Sequence, residues 1–207
     1  MANALFLKLY EENPNEKILS QVADILRSGG IIIYPTDTVY GMGCDINNPK
    51  AVEKVAQLKG VNLAKTNFSF ICYDLSHLSD YAIQVDNDVF KVMRKNLPGP
   101  FTFVLTASKK VPKLFKSKKK TVGIRIPNNK IVREIVNTLG NPILSSSIYD
   151  EDEMIEYATD PELIYEKYKN IVDCVIDGGY GGNIPSTIID CSEGEINILR
   201  EGLGELQ

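Results

Sequence analysis

The sequence holds one histidine, His77, in 207 residues, so it offers no pair of imidazoles to bind a metal. Its four cysteines, Cys44, Cys72, Cys174 and Cys191, lie far apart with no C-x-x-C among them. That spacing argues against structural zinc and for reduced thiols in a cytoplasm. Each cysteine falls in or beside an apolar strand, where it reads as buried filler and not as a nucleophile. No apolar run approaches the roughly 20 residues of a membrane helix, and the N-terminus lacks the basic-then-apolar layout of a signal peptide. There is no P-loop, no G-x-G-x-x-G, no serine in a nucleophile elbow and no metal-ligand cluster. A cytoplasmic protein without a membrane partner or metal ligands of its own is expected.

What remains is ordinary in amount and uneven in placement. Hydrophobic residues make up 43%, charged residues 24%, and the net charge is −4. This is the composition of a soluble globular chain long enough for one sizeable core. Seven lysines between Lys109 and Lys120 crowd one stretch, and Asp150 to Glu153 form an acidic block. A lysine cluster can contact phosphate, but the overall acidity and the few aromatics among those lysines weaken a nucleic-acid reading.

The chain is organised around Gly29–Cys44, GGIIIYPTDTVYGMGC. Ile31 to Tyr34 reads as a strand buried on both faces and ended by Pro35. Thr36, Asp37 and Thr38 and then Gly41 and Gly43 follow as a polar loop, a natural binding place beyond a strand end. On either side, periodicity predicts strands over Leu5–Tyr10, Phe68–Tyr73, Phe101–Ala107, Thr121–Pro127, Pro142–Ser147, Val172–Ile176, Ser186–Asp190 and Ile196–Arg200. Helices are predicted from Asn13-Pro14-Asn15, Asn48, Asp74, Asp86, Asn129 and Asp160, each start holding a residue type that caps a helix N-terminus. Gly178 to Gly182 reads as a flexible turn. The alternation of strands and helices predicts one α/β domain, residues 1–207, around a mixed twisted sheet.

Polar groups recur at strand ends or in breaks: Thr38, Lys59, Lys65, Thr121, Arg125, Ser145, Ser147, Ser186 and Arg200. Arg125 stands alone in the apolar strand TVGIRIP, where an unpaired charge is costly. Cations and hydroxyls without a nucleophile suit the binding and positioning of an anion.

Tyr34–Gly43 (YPTDTVYGMG), Leu58–Gly60, Leu97–Thr102, Val122–Pro127, Ser186–Asp190 and Arg200–Gly202 follow, in order and over nearly the whole chain, the motifs of the YrdC-like family, which the sequence resembles. The resemblance implies a twisted open mixed α/β sheet flanked by helices, with a large concave basic cavity. It also implies an L-threonylcarbamoyladenylate synthase. Such an enzyme joins threonine, bicarbonate and ATP into threonylcarbamoyl-AMP for the threonylcarbamoyl modification of transfer RNA, with Mg²⁺ accompanying the ATP. By the same resemblance Thr38, Arg125, Ser145 and Ser186 would hold threonine or its carbamate. Lys59, Lys65, Thr121, Ser147 and Arg200 would face the nucleotide, and Lys59 and Arg125 would be the catalytic cations.

The sequence departs from the family pattern at Val61, where an arginine is usual, and at Tyr149, where an asparagine is. These departures resemble the YciO branch and imply weaker or altered synthase activity. An alternative is a double-stranded RNA- or ribosome-associated binding protein without synthase activity.

Overall fold

Four polar side chains start helices in the way their positions predict. Asn15 accepts from the N–H groups of Lys17 and Ile18, Asn48 from Ala51, Asn129 from Val132 and Asp160 from Glu162. Each such cap stabilises its helix by about 1 kcal/mol. In the computed structural model, residues 3–61, 68–112, 120–148 and 156–207 are described, the side chains of 156 and 157 excepted.

The helices are α1 (Glu16–Arg27), α2 (Pro49–Leu58), α3 (Leu78–Tyr81), α4 (Asn87–Asn96), α5 (Lys130–Leu139), α6 (Glu156–Thr159) and α7 (Pro161–Tyr168). The strands are β1 (Leu5–Lys8), β2 (Ile32–Tyr34), β3 (Gly41–Asp45), β4 (Ser69–Ile71), β5 (Phe101–Thr106), β6 (Thr121–Arg125), β7 (Ile143–Ser147), β8 (Cys174–Asp177), β9 (Thr187–Asp190) and β10 (Asn197–Arg200). Among the described residues the strands form one mixed sheet in the order β1-β8-β2-β3-β7-β4-β6-β5-β9-β10.

Register sorts the side chains. Side chains alternate between faces along a strand, and paired residues share a face. Tyr34 pairs with Gly41, Gly41 with Ser147, Gly43 with Ser145, Ser145 with Ser69, and Ser69 with Gly123. Gly123 shares its face with Arg125, two residues on, and pairs with Val104, which shares its face with Thr102. Thr102 pairs with Ile188, and Ile188 with Arg200. One face therefore carries a field of glycines, hydroxyls and two arginines, interrupted by Val104 and Ile188.

The opposite face is mainly apolar, with Ser146 and Thr187 among its few polar residues. Phe70, Phe103, Ile124, Leu144 and Ile189 pack there with Val52 and Val55 of α2 and Val89 and Met93 of α4. On the polar face, α1 and α5 cover only the part floored by Ile32, Ile71, Ile143 and Ile176. The rest of that face lies beyond these two helices, although Thr102, Arg125 and Ser145 on it are still buried.

Several local expectations change. Gly41 and Gly43 lie within β3, antiparallel to β2, and not in a loop. The first strand stops at Lys8, and its Leu5 and Phe6 are exposed because β1 is a sheet edge. Asp74 caps no helix: it accepts from the N–H and hydroxyl of Ser76, and the helix begins only at Leu78. A short helix at Glu156–Thr159 precedes α7. The acidic block at 150–153 lies outside the described residues. The cysteines are buried as expected. Burial pushes the thiols of Cys44, Cys72 and Cys174 up to about 12 and that of Cys191 to about 11, so none is a nucleophile near neutrality.

Candidate functional site

Arg125 ends β6 on the polar face and is 7% exposed. The turn after β2 is built around it. Its Nη2 donates to Thr36 Oγ1 at 3.0 Å, to Asp37 Oδ1 at 2.8 Å and to Thr38 Oγ1 at 2.6 Å. Thr36 is itself fixed, donating to the Val39 carbonyl and accepting from the Thr38 N–H. The expectation of a lone buried charge is thus half answered within the chain, since Asp37 supplies a counter-charge. Yet Arg125 Nε is buried with no hydrogen-bond partner among the described residues, which is unusual for so strong a donor.

The same turn is braced from behind. Tyr40 donates its hydroxyl to the Gly179 carbonyl at 2.7 Å and accepts from the Gly178 N–H at 3.2 Å. Gly182 donates to the Thr38 carbonyl at 2.7 Å, and a Cβ at Gly182 would lie 2.7 Å from that oxygen. The stretch from Gly178 to Gly182 is therefore pinned against the site and is not the flexible turn its glycines predict; glycine at 182 permits the close approach.

Next to Arg125, Tyr34 reaches across β3. Its ring lies over Gly41 and Gly43, where added Cβ atoms would come within 3.0 and 3.1 Å of it. Its hydroxyl donates to Ser145 Oγ on β7 at 2.6 Å. On the far side, Ser186 and Thr102 hydroxyls are 3.0 Å apart, and Arg200 Nη2 donates to the Ser186 carbonyl at 2.7 Å. The segment after β10 holds this wall: Thr187 donates to the Gly204 carbonyl and accepts from the Gly202 N–H.

Between these groups lies a cavity of about 150 Å³. Pockets for drug-sized ligands run to roughly 300–1,000 Å³, so this one has the size of an amino acid. Arg125 and Arg200 line it with Ser145, Ser147 and Ser186, and among the described residues no lining residue is acidic. Burial first, and then the like charge of Arg125, lowers the pKa of the Arg200 guanidinium. Two arginines that repel each other across a small cavity favour an anion between them.

The structure brings together Arg125, Ser145, Ser147, Ser186 and Arg200. Thr38, 1% exposed, grips Arg125. Thr121 shares the β6 face with Arg125 but pairs with Thr106, away from the cavity lining. Lys59 is the C-cap of α2 and lines a separate hollow with Met42, Ile148 and Lys167. Lys65 and Tyr149 lie outside the described residues, and Val61 packs half-buried on the core. Sequence reading missed Tyr34 and Thr102 as site groups, and placed Asp37 in the binding turn without a role. The alternation F-T-F in β5 signals Thr102, because a polar residue between two core phenylalanines must face the other side. Among the described residues no group of histidine, cysteine, aspartate and glutamate could hold a metal ion, so the expected Mg²⁺ finds no protein cage here.

The sequence model of Sua5, YciO and YrdC proteins, described as telomere recombination, matches residues 24–202. An uncharacterized protein of Haemophilus influenzae is 40% identical over 200 residues, covering 96% of each chain. The crystal structure of E. coli YciO superposes with a TM-score of 0.90 at 37% identity, covering 98% of this chain and 97% of that one. P. abyssi Sua5, solved in complex with L-threonine, shares the fold with a TM-score of 0.86 at 24% identity, over 99% of this chain and 62% of that one.

Proposed function

The chain belongs to the Sua5/YciO/YrdC family, and on that premise we propose that it joins L-threonine, bicarbonate and ATP into threonylcarbamoyl-AMP, the activated group for threonylcarbamoyl modification of transfer RNA. The observation that carries this reading is the buried Arg125 Nε, without a partner among the described residues, on a residue that lines an amino-acid-sized cavity. A planar guanidinium with a free N–H is suited to a carboxylate. Threonine bound to P. abyssi Sua5 is a property of that protein, whose likeness to this chain shows the fold; it agrees with the assignment made from Arg125.

In this reading Arg125 binds the threonine carboxylate, held in place by Thr36, Asp37 and Thr38. Ser145 and Ser186 donate to the ligand's remaining oxygens. The threonine amine combines with bicarbonate to give a carbamate and water. A carbamate oxygen then bonds to the α-phosphorus of ATP as the bond to the bridging oxygen breaks, and pyrophosphate leaves. Such a displacement needs alignment and charge stabilisation more than a protein nucleophile. Nucleotide contacts fall to Ser147 and Arg200, which share the cavity, and to Lys59, Lys65 and Thr121, with Lys59 as the catalytic cation at the phosphates. Any Mg²⁺ would arrive bound to the triphosphate.

The test is pyrophosphate release with ATP, bicarbonate and each amino acid in turn. Release that depends on both threonine and bicarbonate is expected; release with no amino acid at all, or none with any, overturns the proposal. Of the lysine-rich stretch that the RNA-binding alternative would use, Lys110 is engaged with Asp80 and residues 113–119 lie outside the described residues.

A further inference from the structure

We propose that Tyr34 is a positioning residue: it makes Ser145 an obligate hydrogen-bond donor toward the cavity, so that the site selects a ligand presenting an acceptor oxygen there. The inference rests on the reading of the cavity as the threonine or carbamate site.

Tyr34 is 0% exposed, and among the described residues its hydroxyl meets one partner, Ser145 Oγ at 2.6 Å. A buried phenol with one neighbour satisfies its hydrogen only by donating it, because an unmade hydrogen bond costs the full desolvation of the group. A phenol is also a better donor and a poorer acceptor than an aliphatic hydroxyl. Burial further raises the Tyr34 pKa, so the phenol keeps its proton at any ordinary pH.

The consequence falls on Ser145. A serine hydroxyl has one hydrogen and two lone pairs. One lone pair of Ser145 takes the Tyr34 hydrogen, and its own hydrogen has no partner among the described residues. Ser145 lines the cavity, 5% exposed, so that hydrogen is directed to whatever binds there. A ligand oxygen accepts it; a ligand ammonium at the same point would face a hydrogen and not a lone pair.

The arrangement is built into three strands. Tyr34 on β2 spans β3 to reach β7 because Gly41 and Gly43 have no side chains on that face. A Cβ at Gly43 would lie 2.3 Å from the Leu144 carbonyl oxygen and 3.1 Å from the Tyr34 ring. The two glycines that read as a binding loop in the sequence instead clear the path for a tyrosine that acts through a serine.

A double-mutant cycle read by calorimetric L-threonine binding tests this. Tyr34→Phe keeps the ring on the glycines but frees Ser145 to turn, and is expected to weaken threonine binding about fivefold to tenfold. Ser145→Ala should weaken it by at least as much, and adding Tyr34→Phe to Ser145→Ala should cost nothing further. A purely structural tyrosine would instead weaken binding in both backgrounds. If Ser145→Ala does not fold, Ser145→Cys closes the cycle with the same expectation, since a thiol is a weak donor. Unchanged binding in Tyr34→Phe, or losses that add in the double variant, overturn the inference alone when Arg125→Ala abolishes binding. A wild-type protein that binds no threonine overturns the inference together with the function it rests on.

Discussion

One carboxylate, that of Asp37, ties two parts of the site together. Its Oδ1 accepts from Arg125 Nη2 at 2.8 Å, and its Oδ2 accepts from the backbone N–H of Asn128 at 2.9 Å, three residues beyond that arginine. Both side chains of the ion pair are 9% exposed. The turn after β2 and the turn after β6 are thus locked to each other through a buried pair, and the arginine is aimed before any ligand arrives. Such preorganisation lowers the cost of binding.

Arg125→Ala is therefore expected to do two things. It leaves Asp37 buried without its cation, which costs about 3–5 kcal/mol of stability. It also removes the rise in Tm on adding threonine. Combining it with Asp37→Asn should restore much of the stability and none of the ligand response. Thermal melts of the two variants with and without threonine check this, and a threonine-dependent shift in either would remove Arg125 from the site.

Gly43→Ala should be costly although glycine at this position has an ordinary extended backbone. The added methyl meets the Leu144 carbonyl at 2.3 Å and the Ile143 side chain at 2.6 Å, so β7 must shift. Overpacking of this kind costs about 1–3 kcal/mol. Urea denaturation measures it, and the shift of β7 should also weaken threonine binding through Ser145.

Stability should fall on the alkaline side. The buried thiols have folded pKa values of about 12, for Cys44, Cys72 and Cys174, and about 11, for Cys191, against an ordinary 9.0. A group whose pKa is raised on folding stabilises the protein fully below its unfolded value, and that contribution is lost as pH rises toward the folded value. Burial raises Tyr34 and Tyr40 in the same direction. Urea midpoints should hold up to about pH 8 and decline steadily above pH 9. Thiol reagents at pH 8 should label the native protein slowly and the urea-unfolded protein at once.

Val61→Arg with Tyr149→Asn restores the two residues usual in the family and should raise the rate of pyrophosphate release. One oxyanion-stabilising donor contributes about 3–4 kcal/mol in enzymes where it has been removed, which sets the ceiling for each. Val61 packs against the core, so the gain in rate should come with a lower Tm. A folded double variant with no gain would mean that these two positions do not limit the activity.

The sequence by itself determined the family, most of the helix starts and most of the strands. Motifs, caps and apolar periodicity are local properties, and Asn15, Asn48, Asn129 and Asp160 cap in the structure as their positions predict. It also marked Arg125, because a guanidinium inside an apolar strand needs a partner wherever the strand goes. The identity of that partner was decided by tertiary structure. Asp37 lies 88 residues away in the chain and meets Arg125 only when the turn after β2 folds over the end of β6. Strand register decided the rest. Ser145 gained its donor role from a tyrosine 111 residues distant, across a strand that local pattern read as loop. The uncovered part of the sheet, which makes the cavity, follows from where α1 and α5 stop packing. Periodicity along one strand reports which side a residue faces; which residues lie beside it depends on the order of strands, and that is a property of the assembled sheet.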